Sequence, residues 1–157
     1  MSLVRQGPAV NSPYAHRVTD PKNSYMTFRS SYPEDCLYLY NGKNTKDCVD
    51  SAWVFNSELC YECVNIENCY NVRFGQEVKD CRDSSFLYAC RNCSDCVGCV
   101  NLVNQKYCIF NERYSREEYN KKLIEFELNT YSGIQEMEKK FSEFRKKFPV
   151  RVIASVK

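Results

Sequence analysis

All eleven cysteines of this chain stand at residue numbers divisible by three, between Cys36 and Cys108. In an extended strand, residues i and i+3 point to opposite faces. Cysteines that share an interior at such spacings therefore need a bend between them. The run Cys90-x-x-Cys93-x-x-Cys96-x-x-Cys99 predicts repeated corners, either tight solenoid coils or metal knuckles. One straight strand with a buried cysteine face is excluded. Steps of 12 and 9 residues, as in Cys36–Cys48–Cys60 and Cys81–Cys90, are too short for a β-α unit and suit a short strand plus a corner.

Local chemistry agrees with that geometry. Six cysteines follow Asp or Asn, namely Asp35, Asp47, Asn68, Asp80, Asn92 and Asp95, residues that tolerate the left-handed conformation and cap tight turns. β-favouring stretches follow: LYLY (37–40), AWVF (52–55), NVRF (71–74), SFLY (85–88) and CIF (108–110). The expected fold is mainly β, a short cysteine-lined parallel β-solenoid with an α-helical C-terminal hairpin. KDCVDSAWVF (46–55) also aligns with KDCRDSSFLY (79–88) at an offset of 33, which suggests stacked units. That offset predicts that Cys48 and Cys81, and likewise Cys60 and Cys93, occupy equivalent inward positions in successive units.

The chain divides into three segments. Residues 1–33 hold Pro8, Pro13, Pro21 and Pro33 with little periodicity and read as an extended N-terminal arm, ordered by docking. Residues 34–112 are the cysteine-rich repeat body. Residues 113–157 read as a helical hairpin plus a final strand. Ser115 and Glu118 fit a capping box, placing Tyr119, Leu123 and Phe126 on one helix face. A second helix is expected from about Ile134 to Phe148, stopped by Pro149. Its apolar residues Ile134, Met137, Phe141, Phe144 and Phe148 form an interface stripe, against the body or another subunit. VRVIASV (150–156) is apolar enough for the final strand.

Three cysteine chemistries are open at this point. Thiols can fill a narrow core as small hydrophobes, the role assigned to Cys36, Cys48, Cys69, Cys81 and Cys108. Cys60 and Cys63 together with Cys90 and Cys93, or with Cys96 and Cys99, have the paired spacing of a four-thiolate zinc site. The Cys90–Cys99 run also approaches iron–sulfur spacing but lacks the x3 step and the following proline. On the core reading, a Cys-to-Ser change places a hydroxyl in an apolar core and costs about 1–3 kcal/mol.

Enzymatic readings find little support. The single histidine, His16, leaves almost no Cys/His or Ser/His chemistry. No catalytic residue, phosphate loop or acid/base pair is evident, and Asp47, Asp50, Asp80 and Asp83 read as turn residues. A balance of 22 basic against 20 acidic side chains offers no field for nucleic acid or an anionic membrane. No apolar run approaches the roughly 18 residues of a spanning helix. The opening MSLVRQGPAVNSP has no apolar h-region, so cytoplasmic synthesis without a secretion signal is expected.

KDCVDSAWVFNSELCYECVNIENCYNVRF, the GCVNL…YCIFN…YSREEY stretch and KKFPVR resemble a family of cysteine-repeat proteins of small-genome bacteria and phages. That family is often carried under a CaiB/BaiF label. The match covers roughly residues 23–150. The coenzyme A-transferase activity in that label is not expected of this chain, which has no long Rossmann-like pattern. The resemblance implies a non-enzymatic structural or assembly protein, such as a virion or surface-assembly component, whose partners are other protein subunits in a homo- or hetero-oligomer. The alternative is a zinc-binding adaptor presenting a protein or nucleic-acid site.

Overall fold

The computed structural model describes residues 5–149. Eleven strands run in chain order: β1 (Arg5–Gln6), β2 (Val18–Thr19), β3 (Ser31–Glu34), β4 (Leu37–Lys46), β5 (Val49–Glu58), β6 (Val64–Glu67), β7 (Tyr70–Lys79), β8 (Arg82–Tyr88), β9 (Ser94–Val97), β10 (Lys106–Ile109) and β11 (Glu112–Arg113). Helices α1 (Arg116–Glu125) and α2 (Tyr131–Arg145) follow. The strands form one sheet in sequential order, parallel except for the antiparallel β10–β11 pair. This is the expected parallel β-solenoid, of about eight coils.

From β2 to β10 the register is constant, whereas β1 pairs with β2 at an offset of 13, Arg5 with Val18. Leu37 pairs with Val49, Val54 with Ile66, and Val72 with Ser84, so one coil takes 12 residues. Every third residue from Arg17 to Phe110 has a positive φ, between 45° and 68°. Each such residue turns a corner, and the residue after it points inward, so a coil has four sides of three residues. A left-handed corner costs an ordinary L-residue about 1–2 kcal/mol, which is why Asn and Asp recur there. The six Asx residues singled out before cysteines all have positive φ. So do Leu59, Glu62, Ala89, Gly98 and Tyr107, which precede the other five.

The 33-residue offset is not the coil. It falls one side short of three coils, so Cys48 and Cys81 line neighbouring sides rather than stacking. Both point inward and are fully buried. Cys48 stacks in register between Cys36 and Cys60, and Cys81 between Cys69 and Cys93.

The segment read as an extended arm is coiled as well. Val10 bridges Lys22, His16 bridges Phe28, and Ser31 pairs with Lys43, all in the same register. Ser12, Ala15, Val18, Ser24, Thr27 and Ser30 are the buried inward residues here. The period of three continues upstream of Cys36 in residues other than cysteine. Pro21 and Pro33 also take buried inward positions. At several other inward positions the N–H is handed to the inward side chain one coil up, as from Cys36 N to Ser24 Oγ at 3.3 Å. A proline there brings no N–H to satisfy.

The helices lie along one side of the solenoid. The capping box forms, with Ser115 Oγ accepting from Glu118 N–H at 3.2 Å and Glu118 Oε2 accepting from Ser115 N–H at 3.1 Å. α2 begins at Tyr131 rather than Ile134, because Thr130 caps it and accepts from Gly133 N–H at 3.1 Å. Gly133 lies inside the first turn, where a Cβ would meet the Glu127 carbonyl at 2.3 Å. Its lack of a side chain serves close approach and does not end a helix. The strand expected over residues 150–156 lies outside the described residues.

Candidate interaction face and the cysteine core

All eleven cysteines are buried free thiols in the lumen. The inward position has a recurring polar task. Ser24 Oγ donates to Lys22 O at 2.9 Å, and Ser84 Oγ to Arg82 O at 2.6 Å. Cysteine does the same with longer contacts: Cys36 Sγ to Glu34 O at 3.1 Å and Cys48 Sγ to Lys46 O at 3.2 Å. The inward atom also accepts from the coil below, as when Cys93 N–H donates to Cys81 Sγ at 3.4 Å. A small side chain that is apolar in bulk and carries one weak donor and acceptor meets both demands.

Two runs of thiols touch through the lumen. In one, Cys48 accepts hydrogen bonds from Cys36 and Cys60, which lowers its pKa, while those two donors are raised. In the other, hydrogen bonds from Cys81 and Cys96 lower Cys93. Cys69 is pushed up to about 11 and Cys90 to about 12, in both cases chiefly by burial. No thiol of the set is more than 2% exposed, so none is offered to a substrate.

The structure places the six zinc candidates in two groups. Cys60 and Cys63 line adjacent sides of one coil. Cys90, Cys93, Cys96 and Cys99 are the four inward residues of a single coil, which satisfies the demand for a corner between each pair. Cys60 lies three coils from Cys96, about 14 Å along the axis, against Zn–S bonds of about 2.3 Å. The two knuckles therefore do not meet in one site. Within the four-cysteine coil the sulfurs turn to backbone carbonyls at 3.2–3.4 Å. Among the described residues no group of three or more His, Cys, Asp or Glu side chains is arranged to hold a metal ion. These residues do not fit the expected zinc or iron–sulfur sets.

Outside the lumen, the four sides differ in chemistry. Two carry corner ladders of Asn and Asp, hydrogen-bonded coil to coil, such as Asn44 Nδ2 to Asn56 Oδ1 at 2.9 Å and Asn71 Nδ2 to Asp83 Oδ1 at 2.8 Å. The side that begins at Cys36, here side one, is largely apolar, interrupted by Asp50, Glu62, Arg73 and Ser85. Its C-terminal half bears Phe74, Phe86, Val97, Ile109 and Phe110, which pack with Tyr119 of α1 and Met137 of α2.

The predicted interface stripe is spent on this intramolecular contact. Met137 is 1% exposed. Phe141 meets Phe86 with ring centroids 5.9 Å apart, and Ile134 joins the same cluster. Phe144 packs on Phe110 at 5.2 Å and on Phe148 at 5.1 Å. Arg145 lies over the Tyr88 ring at 3.6 Å and donates to Gln76 Oε1 at 2.9 Å.

Among the described residues, the N-terminal half of side one has no such cover. Tyr14, Tyr25, Met26, Leu37, Tyr38 and Tyr61 are each between 37% and 55% exposed. Their rings run on edge-to-face, Tyr14–Tyr25 at 5.3 Å and Tyr25–Tyr38 at 5.8 Å. Sequence reasoning missed this face. Reading Tyr25, Leu37, Val49 and Tyr61 in steps of 12 would have shown it.

No known family model matches the chain, and no curated protein matches it. Among solved structures, two mutants of perosamine N-acetyltransferase from Caulobacter crescentus, both in complex with CoA and GDP-perosamine, align with part of the chain at low scores. The histidine-to-asparagine mutant aligns at 14% identity with a TM-score of 0.18, over 65% of this chain and 51% of that one. The histidine-to-alanine mutant aligns at 14% identity with a TM-score of 0.19, over 66% and 51%. The chain thus spans about half the length of either.

Proposed function

We propose that this protein is a non-enzymatic structural component of a protein assembly, a short rigid rod that contacts other subunits through side one. The carrying observation is the half-covered aromatic face. The chain's own hairpin seals five large apolar residues of that side, and the continuation of the same side is left exposed. Exposed apolar surface of this continuity marks interaction sites on folded proteins.

Two further features support the reading. The lumen is occupied by packed side chains, so it offers no substrate cavity. A groove of about 640 Å³ on the outside is lined by Asn65, Glu67, Glu77, Lys79, Arg91 and neighbours. Its chemistry is that of paired surface charge, with Lys79 and Glu67 2.9 Å apart. The family resemblance points the same way, toward a virion or surface assembly.

The test is site-specific photocrosslinking in cells that make the protein. A benzophenone side chain in place of Tyr38 is expected to give discrete protein adducts. The same group in place of Asn44, on a polar corner ladder, is expected to give none. Equal labelling at both positions, or none at Tyr38, would overturn the proposal.

A further inference from the structure

Side one already receives a helix, because Phe74 and Phe86 stack at 4.5 Å and Phe86 packs against Phe141 of α2. Met26 and Tyr38 stand in the same register row as Phe74 and Phe86, three to five coils up. We propose that the open half of side one, from Tyr14 to Tyr61, docks an amphipathic α-helix of another protein. That helix is apolar along one stripe and flanked by lysine or arginine. The inference rests on the assembly reading and names the kind of partner.

Size selects the occupant. Five coils from Tyr14 to Tyr61 span about 19 Å at 4.8 Å per step, the length of a helix of about 13 residues. One side is three residues, about 10 Å, wide, so the strip offers roughly 200 Å². A stable pair of globular partners needs about 800 Å² from each. The strip suits a helix of three to four turns better than a second copy of the rod.

Charge selects the flanks. The corner row on one edge of the open half carries Asp35 and Asp47, and the row of Tyr14, Met26 and Tyr38 continues as Asp50 and Glu62. Neither row holds a lysine or arginine between Asn11 and Glu62. Where the open half meets the hairpin, a groove of about 390 Å³ is lined by Asp47, Val49, Tyr61, Phe74 and Ile134, with Arg73 as the one cation on its wall. An incoming helix would abut the hairpin there.

The chain's own α2 has the required character, with Met137, Phe141 and Phe144 apolar and Lys139, Lys140, Lys146 and Lys147 basic. It supplies the probe: a fluorescein-labelled peptide of residues 131–148, held helical by an i,i+4 staple on its polar face. This is titrated with the full-length protein by fluorescence anisotropy. Saturable binding is expected, absent for a scrambled peptide and weaker in about 0.5 M salt, where exposed charges are screened. The double variant Tyr25→Glu/Tyr38→Glu is expected to bind about tenfold more weakly, a loss of roughly 1.4 kcal/mol. Circular dichroism verifies its fold. Asp47→Lys/Asp50→Lys leaves the apolar residues in place and is expected to weaken binding too.

No saturable binding, or binding indifferent to both double variants, overturns the proposal. So does concentration-dependent dimerisation of the protein in sedimentation that Tyr25→Glu/Tyr38→Glu abolishes, which gives the face to a second copy. In each of these cases the crosslinks from position 38 still decide the assembly reading separately.

Discussion

The side-chain amide of Asn111 closes on the backbone of Val100: Oδ1 accepts from Val100 N–H at 2.9 Å and Nδ2 donates to Val100 O at 2.9 Å. One coil earlier, Tyr88 N–H donates to Cys99 O at 3.0 Å and Asn101 N–H donates to Tyr88 O at 2.9 Å. The Asn111 amide thus stands where the next coil's peptide would stand. It satisfies an edge that would otherwise present unpaired groups.

Asn111→Ala is therefore expected to destabilise the protein by about 1–3 kcal/mol, the cost of leaving partly buried backbone groups unpaired. Asn111→Asp keeps the acceptor and loses the donor, so it is expected to fall below the wild type as well. Urea denaturation at neutral pH checks both. An unchanged midpoint for the alanine variant would remove Asn111 from the capping role.

The register revises the expected cost of exchanging cysteine for serine. Ser24 and Ser84 occupy the same inward row as Cys48 and use their hydroxyls on backbone groups above and below. A hydroxyl at this position is already accommodated. Cys48→Ser is expected to cost less than about 1 kcal/mol, whereas Leu39→Ala, at a fully buried site, is expected to cost about 2–5 kcal/mol. Denaturant midpoints of the two variants give the comparison.

Thiol burial sets both reactivity and pH response. In the native protein at pH 8 a disulfide reagent such as Ellman's is expected to react slowly with the cysteines, with all eleven thiols titrating after denaturation. Cys69 and Cys90 are held protonated by burial, with pKa values of about 11 and 12 against 9.0 unfolded. A raised acid keeps its proton in the folded state while the unfolded chain releases it, so stability falls as pH rises above 9. The thermal midpoint should decline between pH 9 and about 11. A flat midpoint across that window would contradict the burial of these thiols.

The corners give a stabilising change. Glu77 is exposed with φ 56°, a conformation Asn adopts more readily. Asn65 stands one coil above it. Glu77→Asn is expected to raise stability by about 1 kcal/mol and to extend a ladder of the Asn44–Asn56 type. Thermal melts of wild type and variant decide it.

Much of this architecture is written locally. The period of three, the Asx corners and the inward cysteines follow from the sterics of left-handed φ and the alternation of strand faces, which act within a few residues. The capping box at Ser115 is local for the same reason. The number of sides in a coil is not local: 12 residues close a coil only because each strand finds its neighbour, so the 33-residue similarity pointed to the wrong stacking partner. The coiling of residues 10–33 was hidden because serine, threonine, alanine and proline can fill an inward position without advertising it. That the two cysteine pairs lie three coils apart, and that the hairpin covers half of side one and leaves Tyr14 to Tyr61 bare, was decided by tertiary packing. Those outcomes depend on which rows stack through space, a quantity no short stretch of sequence carries.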